Sequence, residues 1–373
     1  MVSLSPSSTM VARNAHRLFV LVTAAFLLYL CVPYFYYVGD YVRQTNPFSE
    51  QKYIEQSFVP SDRELACLRG KPIPGDPPPP PRDSPAGSDE PIPNIVHFIY
   101  GLKNPLDSSN AGHFDFMCYL AVRSAIVSLR PDAIYLHYAY LSETPSADPM
   151  ADPLTNPWIK RLAKHITLVH HAPSASTAQY AHLSDTMRLE FLHAQGGIYL
   201  DIDAFALRPF DKLLAAPRPH DIVLGAEGGN RWGLCNAIMA ARANSTFIER
   251  WLESYRDVDF SREWNYHSVL LPRELADAHP DEVCALPPDA FFWPTWTWRH
   301  VEWMHEPLGR DESKYWRRQI EAHGGSLFEN QVAYHAWNQM AWDRYLKKLN
   351  PVAVRMQDTR FNLLVRRFME DDL

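Results

Sequence analysis

The chain has 373 residues, enough for one large folded domain with further segments attached. Its formal net charge is −7, with both signs spread along the sequence, which argues against a nucleic-acid-binding protein. The 11 tryptophans fit a sugar-binding surface or an ordinary aromatic core, so composition does not choose between them.

Taken in order, residues 1–17 read as a cytoplasmic tail, with Arg13 and Arg17 ahead of an uncharged run, Leu18–Val38. About 20 such residues cross a bilayer, and the flanking charge favours a cytoplasmic N-terminus. The run exceeds a usual signal-peptide core and lacks a clean cleavage site, so an uncleaved anchor is expected. Residues 39–91 read as a stem, because Pro77–Pro81 is a polyproline run and such runs are stiff spacers. Cys67, Cys118, Cys235 and Cys284 would share one side of the membrane. Without a Cys-x-x-Cys pair a zinc site is not expected, and which of these four cysteines pair is left open.

A folded domain is expected over 92–373. Ile95–Tyr100 is an apolar strand, Phe116–Ser128 a helix, Ala133–Tyr140 and Ile166–His170 further strands. Next comes His182–Phe210. Ser184 is expected to cap a helix carrying Met187, Phe191 and Leu192 on its apolar side, and Gly196-Gly197 to end it. Ile198–Leu200 is a buried strand, and Asp201 and Asp203 follow it. In extended chain residues i and i+2 share a side, so both carboxylates would face one space while Ile202 anchors in the core. Paired hard oxygens suit Mg²⁺ or Mn²⁺; the plainer alternative is a strand end in solvent. Asp185 and Arg188 lie three apart on the helix and share a face.

Beyond this segment, Ile222–Ala226 and Asn236–Ala241 are strand candidates and Phe247–Tyr255 a helix. Asn244-Ser245-Thr246 serves as a glycosylation acceptor or a helix cap. Trp293, Trp296, Trp298 and Trp303 form a dense group that lines a groove or packs in the core. Thr359–Met369 carries Phe361, Leu364, Val365 and Phe368 at helical spacing. The alternation of strands and helices predicts an α/β domain with a mostly parallel sheet.

Ser184-Asp185, Arg188, Gly196-Gly197, Tyr199-Leu200-Asp201 and Asp203, in this order, resemble the sugar-nucleotide-binding core of glycosyltransferase family 32. That family contains fungal α-1,6-mannosyltransferases and α-1,4-galactosyltransferases, and more distantly the run is similar to clostridial glucosylating toxins. The resemblance implies a GT-A-type, Rossmann-like nucleotide-sugar-binding fold. It implies that Asp203 binds a metal ion (Mn²⁺ or Mg²⁺), and that Asp201 meets the ribose or the metal. His335, in a His-x-Trp-Asn sequence similar to the galactosyltransferase tail, becomes the third ligand, or else a core histidine. Asp185 and Arg188 would hold hydroxyls of the transferred sugar, with Ser184 beside them, and Tyr199 would back the metal site or pack as strand core. Tyr100 would lie against the nucleotide base, or pack as core. The expected reaction is hexose transfer from a GDP- or UDP-sugar to a glycan or glycolipid hydroxyl, with retained anomeric configuration, in the Golgi lumen on a type II anchor. A catalytically silent partner of another transferase, or a Trp-rich glycan-binding protein, is the alternative. The match fades past Asn244, where Tyr266–Pro272 and Ala341-Trp342 depart from the family pattern, so donor and acceptor identity stay open.

Overall fold

A computed structural model of the chain describes residues 6–45, 54, 58–73, 91–104, 114–141, 152–172, 180–216, 220–256 and 265–373. Contacts divide it into two units, Met1–Tyr53 and Ile54–Leu373.

The first unit is one helix, α1 (Pro6–Thr45), with Pro33 inside it. Its stretch Asn14–Tyr36 is 23 residues long and apolar, sufficient by length and composition to cross a membrane.

The second unit is built on a seven-stranded sheet. Its strands are β1 (Ile95–Ile99), β2 (Ala133–Tyr138), β3 (Thr167–His170), β4 (Gly197–Leu200), β6 (Ile222–Glu227), β7 (Gly233–Ala241) and β8 (Val283–Leu286), in spatial order β3-β2-β1-β4-β7-β6-β8. All neighbours are parallel except β7, which runs against both β4 and β6. A second sheet pairs β5 (Ala204–Ala206) with β9 (Ala333–His335), antiparallel. The mostly parallel α/β architecture expected from the sequence is therefore present.

The strands read as continuous apolar runs because helices cover the sheet. Helix α3 (Phe116–Leu129) has apolar residues almost all round and is buried nearly throughout. It also serves the small sheet. Ser124 Oγ accepts from the Ala206 N–H at 2.9 Å, and Ser128 Oγ donates to the Ala206 carbonyl at 2.8 Å. One turn of helix thus satisfies the edge of β5, the strand directly after the paired aspartates.

Helix α5 (Tyr180–Gln195) ends at the two glycines as expected. Gly196 has φ +67° and Gly197 φ +106°, and a Cβ on Gly197 would stand 2.6 Å from the Ile95 carbonyl oxygen. The start differs. The helix begins four residues before Ser184, so Ser184 is not its cap; its hydroxyl is used by Arg188 instead. Ser245 does cap a helix, α7 (Thr246–Glu253), accepting from the Ile248 N–H, while Asn244 is exposed.

The stem expected over 39–91 needs correction along residues 58–73. Helix α2 (Asp62–Leu68) opens with a capping box between Ser61 and Glu64. Phe58, Cys67 and Ile73 are buried, and Cys67 is bonded to Cys284 on β8. Arg231, from the β6–β7 hairpin, pairs with Glu64 at 2.6 Å. Burial of these apolar groups, with the disulfide, joins the segment to the domain. The run Pro77–Pro81 lies outside the described residues. Cys118 and Cys235 are buried free thiols.

Side by side on the sheet, His97 (β1), His137 (β2) and His171 form a hydrogen-bonded row, with ring nitrogens 3.1 and 3.0 Å apart. His97 Nε2 must donate to the Gly196 carbonyl at 3.2 Å, which fixes every ring in the row as the Nε2–H form. Phe191 stacks on His137 at 3.8 Å. Burial pushes His97 down to about 4 and His137 to about 3, and lowers His171 as well. The folded chain therefore refuses protons that the unfolded chain takes up below about 6.5. Stability contributed by His97 and His137 is complete above that pH and declines as pH falls toward 4, by about 1.4 kcal/mol per pH unit for each of these two. Denaturant titrations between pH 7 and 4 measure this slope, and His97→Gln with His137→Gln flattens it.

Candidate active site

The site lies where β4 ends. Asp201 and Asp203 are on a turn between β4 and β5, not in extended chain as the i, i+2 argument supposed. The Asp201 carbonyl accepts from the Ala204 N–H at 2.8 Å, which closes that turn. The carboxylates nevertheless converge, because β5 pairs with β9 in a register that sets Ala204 opposite His335. His335 Nε2 lies 3.2 Å from Asp203 and 3.8 Å from Asp201. Ile202 is half-buried against the core.

Asp201, Asp203 and His335 each present one ligand atom, all within 4.8 Å of one another. Two carboxylates and an imidazole are a donor set that can hold a divalent cation of the Mn²⁺ or Mg²⁺ type. Burial alone would push His335 down. The Asp203 and Asp201 carboxylates outweigh it and raise the ring to about 10, so the group holds a proton that a cation would displace. Asp203 is also buried, which works against its charge, but His335 and the Asn338 N–H keep it low.

Each carboxylate is divided between two tasks. Asp201 Oδ1 accepts from the Tyr199 hydroxyl at 2.7 Å and meets Arg188 Nη1 at 3.0 Å, while Oδ2 faces His335. Asp203 Oδ1 faces His335, and Oδ2 accepts from the Asn338 N–H at 2.8 Å. Reaching Asn338 requires a sharp turn, and Trp337 makes it with φ 54°. The strain is held by packing. Trp337 is buried, donates to the Pro294 carbonyl at 2.9 Å and meets the His335 ring edge-on at 4.3 Å.

A second layer stands on α5 and β7. Arg188 is buried and engaged on every nitrogen: Nε on the Ser184 carbonyl, Nη1 on the Asn236 carbonyl and side chain, Nη2 on Ser184 Oγ. Its guanidinium lies 4.5 Å from the Tyr199 ring centroid. Asp185 Oδ1 accepts from Asn236 Nδ2 at 2.8 Å and stands 3.4 Å from Arg188. Burial raises Asp185 despite Arg188, and raises Tyr199 well above its ordinary value.

The structure thus gathers Ser184, Asp185, Arg188, Tyr199, Asp201, Asp203 and His335 around one turn. Tyr100 is half-buried at the end of β1, its ring edge-on to Phe114 at 5.7 Å and its hydroxyl against Cys118. Asn236 was missed, since it sits inside an apolar strand; a lone amide in that strand was the available signal. Glu227, at the end of β6, was missed as well. It is buried, and burial raises it against a hydrogen bond from Cys235 and the nearby His335 charge. Of the tryptophan group, Trp293 and Trp303 are core, Trp296 is half-buried and Trp298 is exposed.

A mostly parallel α/β sheet thus carries an Asp-x-Asp turn at the end of its fourth strand, the end at which ligands bind open sheets of this class. The family described as "Glycosyltransferase sugar-binding region containing DXD motif" matches residues 118–218. "Glucan organizing enzyme 1" of Cryptococcus neoformans is 37% identical over 291 residues, covering 74% of this chain and 71% of that protein. The chain belongs to this DXD-containing, family 32-type group of glycosyltransferases. "Subversion of eukaryotic traffic protein A" of Legionella pneumophila is 28% identical over 95 residues, 26% of this chain and 15% of that protein. The apo glycosyltransferase GlyE of Streptococcus pneumoniae TIGR4 aligns at 9% identity over 74% of this chain and 61% of its own, with TM-score 0.40.

Proposed function

We propose that the protein transfers a hexose from a GDP- or UDP-sugar to a glycan or glycolipid hydroxyl, using Mn²⁺ or Mg²⁺ held by Asp201, Asp203 and His335. The convergence of these three groups at 3.2 and 3.8 Å carries the reading. A cation held there would supply charge neutralisation for a leaving diphosphate. The chain's own residues do the rest. Asp203 is oriented by Asn338, and Asp201 by Arg188 and Tyr199, so both present one oxygen to the same point. Asp185 retains acceptor capacity for sugar hydroxyls, and Arg188, saturated within the protein, positions Asp185, Asn236 and Asp201. Tyr100 at the end of β1 is the base-side residue.

Retention of configuration follows if attack comes on the face the diphosphate leaves, with the leaving phosphate taking the acceptor proton. Residues 1–17 are the cytoplasmic tail, 18–38 the anchor, and 92–373 with the attached segment 58–73 the catalytic domain, facing the Golgi lumen. The relative's name makes a glucan the first acceptor to try.

The test is Mn²⁺-dependent hydrolysis of a panel of UDP- and GDP-sugars by the full-length protein. Turnover of one donor, abolished by chelation, is expected. A folded protein that neither turns over nor binds any of them would be the silent partner of another transferase.

A further inference from the structure

The metal-binding turn follows the carboxyl end of β4, and the opposite end of the same strand carries a feature that the transfer reaction does not use. Asn244-Ser245-Thr246 is the only Asn-x-Ser/Thr run in the 373 residues. It follows β7, whose last residue, Ala241, pairs with Gly197 at the start of β4. The Asn244 N–H donates to the His193 carbonyl at 2.7 Å, which ties the turn to the end of α5. The length of β4, about 13 Å of extended chain, separates this turn from Asp201. A group added at Asn244 therefore stands clear of the donor site.

The three residues divide into one free side chain and two occupied ones. Ser245 Oγ accepts from the Ile248 N–H at 3.3 Å and caps α7. Thr246 Oγ1 donates to Asp221 Oδ2 at 3.0 Å, and the Thr246 N–H reaches the same oxygen at 3.2 Å. Asn244 is exposed, and among the described residues nothing hydrogen-bonds its side-chain amide. Its φ of 55° is a conformation that asparagine adopts more readily than most residues. Ala243 beside it, and Ala194 and Gln195 at the end of α5, are exposed as well, so a bulky substituent has room. The Cys67–Cys284 bond belongs to an oxidising compartment, where secreted proteins acquire N-linked glycans on surface turns of this sequence.

We propose that Asn244 carries an N-linked oligosaccharide, added before the fold takes up the Ser245 and Thr246 hydroxyls. This rests on the lumenal orientation of the catalytic domain and goes beyond the transfer reaction. The Asn244 side-chain nitrogen bonds to the anomeric carbon of an oligosaccharide activated as a diphosphate ester. The bond from that carbon to the diphosphate oxygen breaks, the diphosphate leaves with the electron pair, and the amide gives one proton to solvent. The order of events follows from the threonine. Its hydroxyl is part of what defines the acceptor, and in the folded protein it is held by Asp221.

The test uses the full-length protein made in a eukaryotic secretory system and treated with peptide N-glycosidase, which releases N-linked glycans and leaves a carboxylate in place of the amide. One downward gel shift is expected, with the mass change confined to the peptide containing position 244. Asn244→Gly and Asn244→Asp both suit the positive φ, and each abolishes the shift while donor hydrolysis stays within about twofold. In a pulse-label experiment the modified fraction is complete in the shortest pulse and does not grow during the chase. A control chain carries a second Asn-Ser-Thr acceptor on a flexible Gly/Ser extension after Leu373. Modification of that acceptor with Asn244 bare overturns the site, and so does a shift that persists in both variants. Growth of the modified fraction during the chase overturns the proposed order. Both acceptors bare instead overturns the lumenal orientation beneath it.

Discussion

Asp203→Asn lowers donor turnover by roughly a thousandfold, the scale of removing a group aimed at transition-state charge. Asparagine keeps the volume, and its side-chain oxygen can still accept from the Asn338 N–H now held at 2.8 Å. What it removes is the negative charge opposite His335 at 3.2 Å, and with it the charge that favours a divalent cation. Metal affinity therefore falls with activity, and the melting temperature changes little. Titration with Mn²⁺, read by turnover and by calorimetry, checks both. Full activity in this variant would remove Asp203 from the metal-binding role.

Arg188→Met destabilises the fold by about 3–5 kcal/mol, the range for breaking a buried ion pair from one side. Methionine fills similar space but leaves Asp185 and Asp201 facing each other without the cation now 3.4 and 3.0 Å away. It also strands the Ser184 and Asn236 groups that Arg188 satisfies. Arg188→Lys recovers only part, because one ammonium cannot span four partners that a planar fork reaches together. Denaturant unfolding measures the loss. Little change in stability would mean that the two carboxylates are held by other means.

Legibility of this fold followed the range of the forces that build it. Strands β1 to β4 and helix α3 were readable because each is a local apolar run bounded by its own turn. Gly196 and Gly197 were readable because backbone geometry at a helix end is local. Ser184 misled because an N-cap is defined by where the helix starts, and four earlier residues of this chain were equally able to continue it. The Asp-x-Asp pair was rightly placed together but for the wrong geometric reason: the pairing of β5 with β9, from the far end of the chain, brings in His335. Asn236 was hidden inside an apolar strand and Glu227 at the end of one, where single polar residues carry meaning only once the facing residues are known. Helix α2 was hidden by its seven residues and by the proline-rich sequence after it.

The bond between Cys67 and Cys284 makes a closed covalent ring of the chain between them, 217 residues along the sequence. The segment that enters from the N-terminal unit joins this ring at Cys67. A protease that cuts once at any point from 68 to 283 therefore opens the ring without dividing the molecule. Release of a catalytic fragment by a single cut within the ring requires a reductant as well as the protease, whereas one cut before Cys67 suffices alone. Nicked protein would run intact on a non-reducing gel and as two pieces on a reducing one.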